Sequence, residues 1–230
     1  MLISPALAMI LIAAVSYPQM APVSRYLMDQ RSEIALARSA APPSVSSHAT
    51  ILVLKQYGYE EVIAGTNGFV CQVDRSWLAG FDWPQYWNPK VRAAQCLNRS
   101  AARTIVPLDR LRTKMVLEGA STSEIIAAVR AAFASDRIPE LGPGAMCYMM
   151  SKSSSLTDDF PQDVPHLMFW VPTADGGTLG AGLAGSPVHF SSYWPTSKQW
   201  VATMRGIPAI GVFLVAVDHW SNGLRASVHM

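Results

Sequence analysis

Apolar and polar positions divide the chain into an apolar start, a strand-like block, a helical block and a second strand-like block. Residues 50–54, 59–64 and 69–74 are short runs rich in β-branched and aromatic residues, the composition of half-buried strands. Gly58 separates the first two, and Thr66, Asn67 and Gly68 supply the turn residues that a tight hairpin requires, so the three runs predict a meander. Residues 77–89 are aromatic and interrupted by Pro84 and Pro89, which predicts an irregular segment packed on the core. The period then becomes helical. Pro107 suits a first helical position, and Leu108, Leu111 and Met115 follow at spacings of three and four. Ser121 with Glu124 makes a capping-box pattern ahead of an apolar stripe of Ile125, Ile126, Val129, Ala132 and Phe133. Residues 145–150, 166–171, 187–191 and 210–217 read as strands between loops of Gly, Pro and Ser. Strands, then helices, then strands predict an α+β fold, a mostly antiparallel sheet backed by two or three helices in a single domain.

The apolar start has a different meaning. Its unbroken stretch, residues 6–15, falls far short of the roughly 20 residues of a membrane-spanning helix. It matches the apolar region of a signal peptide, with Ala14 and Ser16 as the small residues before a cut after Ser16, although no Lys or Arg precedes Arg25. The organisation read from this is a signal peptide at 1–16, an N-terminal helix and Pro-rich linker at 17–45, and an α+β domain at 46–230. The helix is expected over residues 25–40, capped by Ser24 and stopped by Pro42 and Pro43. The apolar stretch 207–217 is broken by Pro208 and Gly211 and reads as a core strand, so no membrane span is expected after signal removal. The expected location is periplasmic or secreted.

Composition narrows the class. Half the residues are hydrophobic and 15% are charged, which excludes a disordered or strongly solvating chain. Three cysteines are too few for a disulfide scaffold and permit three single bridges. In an oxidising compartment the pair expected is Cys71 with Cys96, leaving Cys147 as a buried thiol in an apolar segment.

The candidate chemistry gathers in the loop before residue 166. Asp158, Asp159 and Asp163, with His166 at the loop's exit, offer carboxylates and an imidazole for acid-base work. Asp158, Asp163 and His166 are also candidate ligands for a divalent cation, against the competing reading of a solvated loop. Gly180, Gly182 and Gly185 match G-x-G-x-x-G, but Ser186, Pro187 and a strand-like run follow where a helix should begin, so no nucleotide cofactor is expected. Met146, Cys147, Met149, Met150, Met168 and His166 form a soft ligand set, which strand alternation splits between two faces and which reads better as core. Residues 90–114 carry Lys90, Arg92, Arg99, Arg103, Arg110, Arg112 and Lys114 against the single acid Asp109, in a chain whose net charge is +2. That segment is a candidate surface for an anionic partner, and the low total charge argues against nucleic acid. Asn98, Arg99 and Ser100 form a glycosylation sequon, relevant to a eukaryotic source.

Five segments, EIALARSAAPPS (33–44), NGFVCQVDRSW (67–77), YWNP (86–89), PGAMCYMMS (143–151) and PHLMFWVP (165–172), resemble a group of uncharacterised bacterial proteins with signal peptides. The resemblance covers most of the chain after residue 16 and implies a bacterial, exported, single-domain protein. It implies no activity, cofactor or catalytic residue. The function expected is a noncatalytic extracytoplasmic binding or accessory protein, with a metal-assisted hydrolase using the Asp/His loop as the alternative.

Overall fold

A computed structural model describes residues 17–157, 164–172, 176–177, 180–184, 186, 188–193 and 204–226. The proposed signal peptide, the carboxylates Asp158, Asp159 and Asp163, and Gly185 lie outside the described residues. Eight strands form one sheet: β1 (Thr50–Lys55), β2 (Gly58–Ile63), β3 (Val70–Asp74), β4 (Ala93–Leu97), β5 (Met146–Met149), β6 (His166–Val171), β7 (Val188–Ser192) and β8 (Gly211–Ala216). Their order is β2-β1-β3-β4-β5-β6-β8-β7. Among the described strands only the β1–β3 pair is parallel, so the expected α+β fold with a mostly antiparallel sheet is what forms.

The meander is corrected. β1 and β2 pair as a hairpin, but β3 lies on the opposite edge of β1, with Thr50 opposite Val70 and Ile51 opposite Cys71. Instead of folding back on β2, the connection passes over the start of β1, where the amides of Thr66 and Asn67 donate to the His48 carbonyl and Gly65 N–H donates to Thr50 Oγ1. A Cβ on Gly65 would overlap the backbone of Ala49 and Thr50, so only glycine fits this crossing. Sequence reading also missed β4. Its residues Ala93–Leu97 are all buried, and an apolar run without alternation lacks the strand signature.

Among the described residues four helices flank the sheet: α1 (Gln30–Arg38), α2 (Pro43–Ser46), α3 (Arg99–Leu117) and α4 (Thr122–Ala134). The first begins later than expected, because Asp29, rather than Ser24, caps it by accepting from the Arg31 and Ser32 amides. Residues 23–25 form a separate 3-10 turn. Ala37, Ala40 and Ala41 let the chain lie close to Ile51, Val53, Cys71 and Cys96 on one sheet face. The α3 helix starts eight residues before Pro107, which sits inside it. Asn98 is the true N-cap, accepting from the Ala101 and Met146 amides while its Nδ2 donates to the Gly144 carbonyl. The amide that a glycan would modify is therefore engaged in the fold. The capping box at Ser121 and Glu124 forms as expected.

On the α3 face, Leu97, Ile105, Leu108, Val116, Ile125 and Val129 build the larger core. Cys71 and Cys96 stand opposite each other on β3 and β4 and form a disulfide, with Cys147 a buried free thiol. Closing a segment of 25 residues stabilises the fold by about 3–4 kcal/mol through the unfolded chain's lost entropy. Denatured, unreduced protein is expected to titrate one thiol per chain. Replacing both Cys71 and Cys96 by Ala is expected to lower unfolding stability in denaturant by about 3–4 kcal/mol, and three titratable thiols would contradict the bridge.

Candidate functional site

Strand alternation puts Gln72 and Asp74 on the same face of the sheet as their partners Gln95 and Ala93, and that face meets α3. Here the core is polar. The Gln72 side-chain amide donates to Asp74 Oδ1 at 2.8 Å and to Asp109 Oδ2 of α3 at 2.7 Å, so one amide joins two carboxyls. Gln95 Nε2 donates to Asp74 Oδ2 at 2.7 Å, and Tyr193, just beyond β7, donates its hydroxyl to Asp109 Oδ1 at 2.7 Å.

Arg112 lies one helical turn after Asp109, on the same buried face of α3. Its guanidinium donates to the carbonyls of Trp77 (2.7 Å), Leu78 (3.1 Å) and Ala79 (2.6 Å) and lies 4.9 Å from the Phe81 ring centre and 5.5 Å from that of Tyr193. Two of the seven basic residues of segment 90–114 are thereby withdrawn from the surface expected to meet an anionic partner. Arg112 is buried in the core, and Arg92 is partly buried against the carbonyls of Pro89, Val91 and Arg25. Arg99, Arg103, Arg110 and Lys114 remain exposed, with Lys114 beside Glu118.

These contacts frame a cavity of about 390 Å³ between the sheet and the segment that Arg112 holds. Its walls are mainly apolar: Leu78, Trp83, Met149, Met168, Trp170, Val212 and Leu214. Asp74, Gln95, His166, Ser191 and Tyr193 bring polar groups to it. Arg75 also borders the cavity, but its charged end points elsewhere, pairing with buried Glu33 at 2.9 Å and donating to the carbonyls of Tyr26 and Val73.

Of the four residues predicted for catalysis, His166 alone is described, and it lies on the cavity wall. Its Nδ1 is 3.0 Å from the Val164 carbonyl, which can only accept, so the ring carries a proton on Nδ1. Among the described residues no three His, Cys, Asp or Glu side chains gather as a metal site would need. Continuing the β4–β5 register, Gln72, Gln95, Met149 and His166 form one row across four neighbouring strands. Asp74 and His166 thus share one face of the sheet, three strands apart.

Burial and the neighbouring Asp109 hold the Asp74 carboxyl well above the usual carboxylate range, against the lowering effect of the two glutamine amides and Arg75. Burial raises Asp109 to about 6, opposed by Tyr193, Arg112 and Gln72. Burial also pushes the Cys147 thiol up, as an inert core cysteine requires. Sequence reading missed Asp74, Gln95, Asp109 and Tyr193. No protein-family model, curated protein or solved structure matches the chain.

The raised carboxyl of Asp109 has a definite pH signature. Between about pH 4 and 6 the unfolded chain has released a proton that the folded chain still binds, so stability falls as pH rises through this window. The exposed carboxyls of Asp29, Glu124 and Asp218 are shifted downward by local hydrogen bonds, so their stability contributions vary only at lower pH. Denaturant unfolding is expected to show wild-type stability declining across pH 4–6 and a shallower decline for Asp109→Asn. A wild-type stability that rises over that interval would contradict the assignment.

Proposed function

We propose that this is a noncatalytic ligand-binding protein of the extracytoplasmic space, which holds a small, mostly apolar molecule in the cavity between the sheet and the Trp77–Ala79 segment. The carrying observation is the lining of that cavity, mainly hydrophobic and aromatic side chains with a few polar groups among them. Such a lining buries an apolar body and orients it through a small number of polar contacts. The alternative, a metal-assisted hydrolase built on Asp158, Asp159, Asp163 and His166, has His166 alone within the described cavity. Export to the periplasm or beyond is supported by the signal-like residues 1–16, by the resemblance to bacterial proteins with signal peptides, and by a disulfide of the kind that persists in oxidising compartments. No described helix is long and apolar enough to cross a membrane.

The neutral dye N-phenyl-1-naphthylamine tests the cavity. Its fluorescence is expected to rise on saturable binding to one site per chain, and Met168→Trp, which fills the cavity with a larger ring, is expected to weaken binding by about tenfold or more. Absence of saturable binding, or equal binding by a folded Met168→Trp variant, would overturn the reading.

A further inference from the structure

We infer that the Asp74 end of the cavity binds the protonated amine of a small ligand whose apolar body lies along Met168, Trp170 and Leu214. The inference rests on the cavity being a ligand site and names the ligand's class. Its first support is an excess of acceptors. The two Asp74 oxygens are the polar centre of that end, and the nearest donors, the amides of Gln72 and Gln95, already point at carboxyls. Each Asp74 oxygen accepts one of these bonds, so an ionised carboxyl there keeps lone pairs for the several N–H donors that a ligand's ammonium group brings.

The second support is charge. Asp74 faces Gln72 on its own strand, Gln95 on β4, and Asp109 on α3 through Gln72. Neighbouring Arg75 forms a buried pair with Glu33 of α1, and Tyr59 of β2 directs its hydroxyl at the Val73 carbonyl. Arg112 turns to the backbone carbonyls at Trp77–Ala79. No cation of the described chain forms an ion pair with the Asp74 carboxyl. Burial keeps that carboxyl protonated well beyond the usual range, so a cation entering the cavity would displace its proton. The balance is simple: the ammonium keeps its own protons, the Asp74 carboxyl loses one to solvent, and the cavity ends with one ion pair. Aromatic walls at Trp83 and Trp170 suit an organic cation with an apolar body.

Displacement of the bound dye by 4-phenylbutylamine, 4-phenylbutanol and 4-phenylbutyrate decides the matter on the intact protein. The amine is expected to displace at about tenfold lower concentration than the alcohol, with the carboxylate weakest. Calorimetry in buffers of different ionisation heat should show proton release on amine binding, and amine affinity should rise with pH. Asp74→Asn, which keeps the shape of the neutral acid, should lose the preference for the amine, read as the ratio of displacement by the amine to displacement by the alcohol. Equal displacement by amine and alcohol, preference for the carboxylate, amine binding without proton release, or an unchanged preference in Asp74→Asn would each overturn the inference while leaving the cavity reading intact. Failure of the dye itself to bind would overturn the cavity reading first.

Discussion

The Asp109 carboxyl and the Arg112 guanidinium one turn later bring two polar functions of α3 into the core. A carboxyl and a guanidinium inside a core are costly unless each finds partners, and here the partners are the walls of the cavity. Asp109 holds Gln72 from the sheet and Tyr193 from beyond β7, while Arg112 gathers three successive carbonyls. The helix thus fixes where the sheet ends and the cavity begins. It also holds the Trp77–Ala79 segment through three backbone carbonyls. Trp77 adds to this by donating its indole N–H to Thr113 on the same helix.

The opposite face of the sheet is built by different means. Alanines of α1 approach the strands closely, the disulfide joins β3 to β4, and Glu33 reaches through to Arg75 while also accepting the Leu54 amide. The Arg75–Glu33 pair has a functional consequence on the cavity side. By drawing the guanidinium away from the carboxyl next to it in sequence, it leaves Asp74 as an acid surrounded by amides. Removing either member of such a pair leaves a buried charge alone, which is more damaging than never having had the pair.

How much of this was legible in the sequence follows from which physical signals are local. Seven of the eight strands and α4 were readable because alternation, turn residues and the Ser121–Glu124 cap act over a few residues. The parallel return of β3 was not, since Thr66, Asn67 and Gly68 allow either a hairpin or a crossing and the choice is made by the contact of Gly65 with Thr50. Pro107 misled because proline favours a helix start, yet a helix already capped at Asn98 runs through it. For the site, His166 was found by its chemistry. Asp74, Gln95 and Asp109 were passed over because each reads as an isolated polar residue. Their signal was positional: Gln72 and Asp74 alternate inside an apolar strand, Gln95 interrupts another, and Asp109 and Arg112 fall on the apolar face of α3. Polar residues at core positions imply partners, but only the fold says which.

The central claim is that the cavity ends in a desolvated acid held by two glutamine amides. Carboxyl-carbon NMR titration of Asp74, assigned by its loss in Asp74→Asn, tests this directly. Its midpoint is expected well above the roughly 3.9 of an ordinary aspartate; a midpoint at that ordinary value would mean a solvated carboxyl and would rule out the desolvated acid.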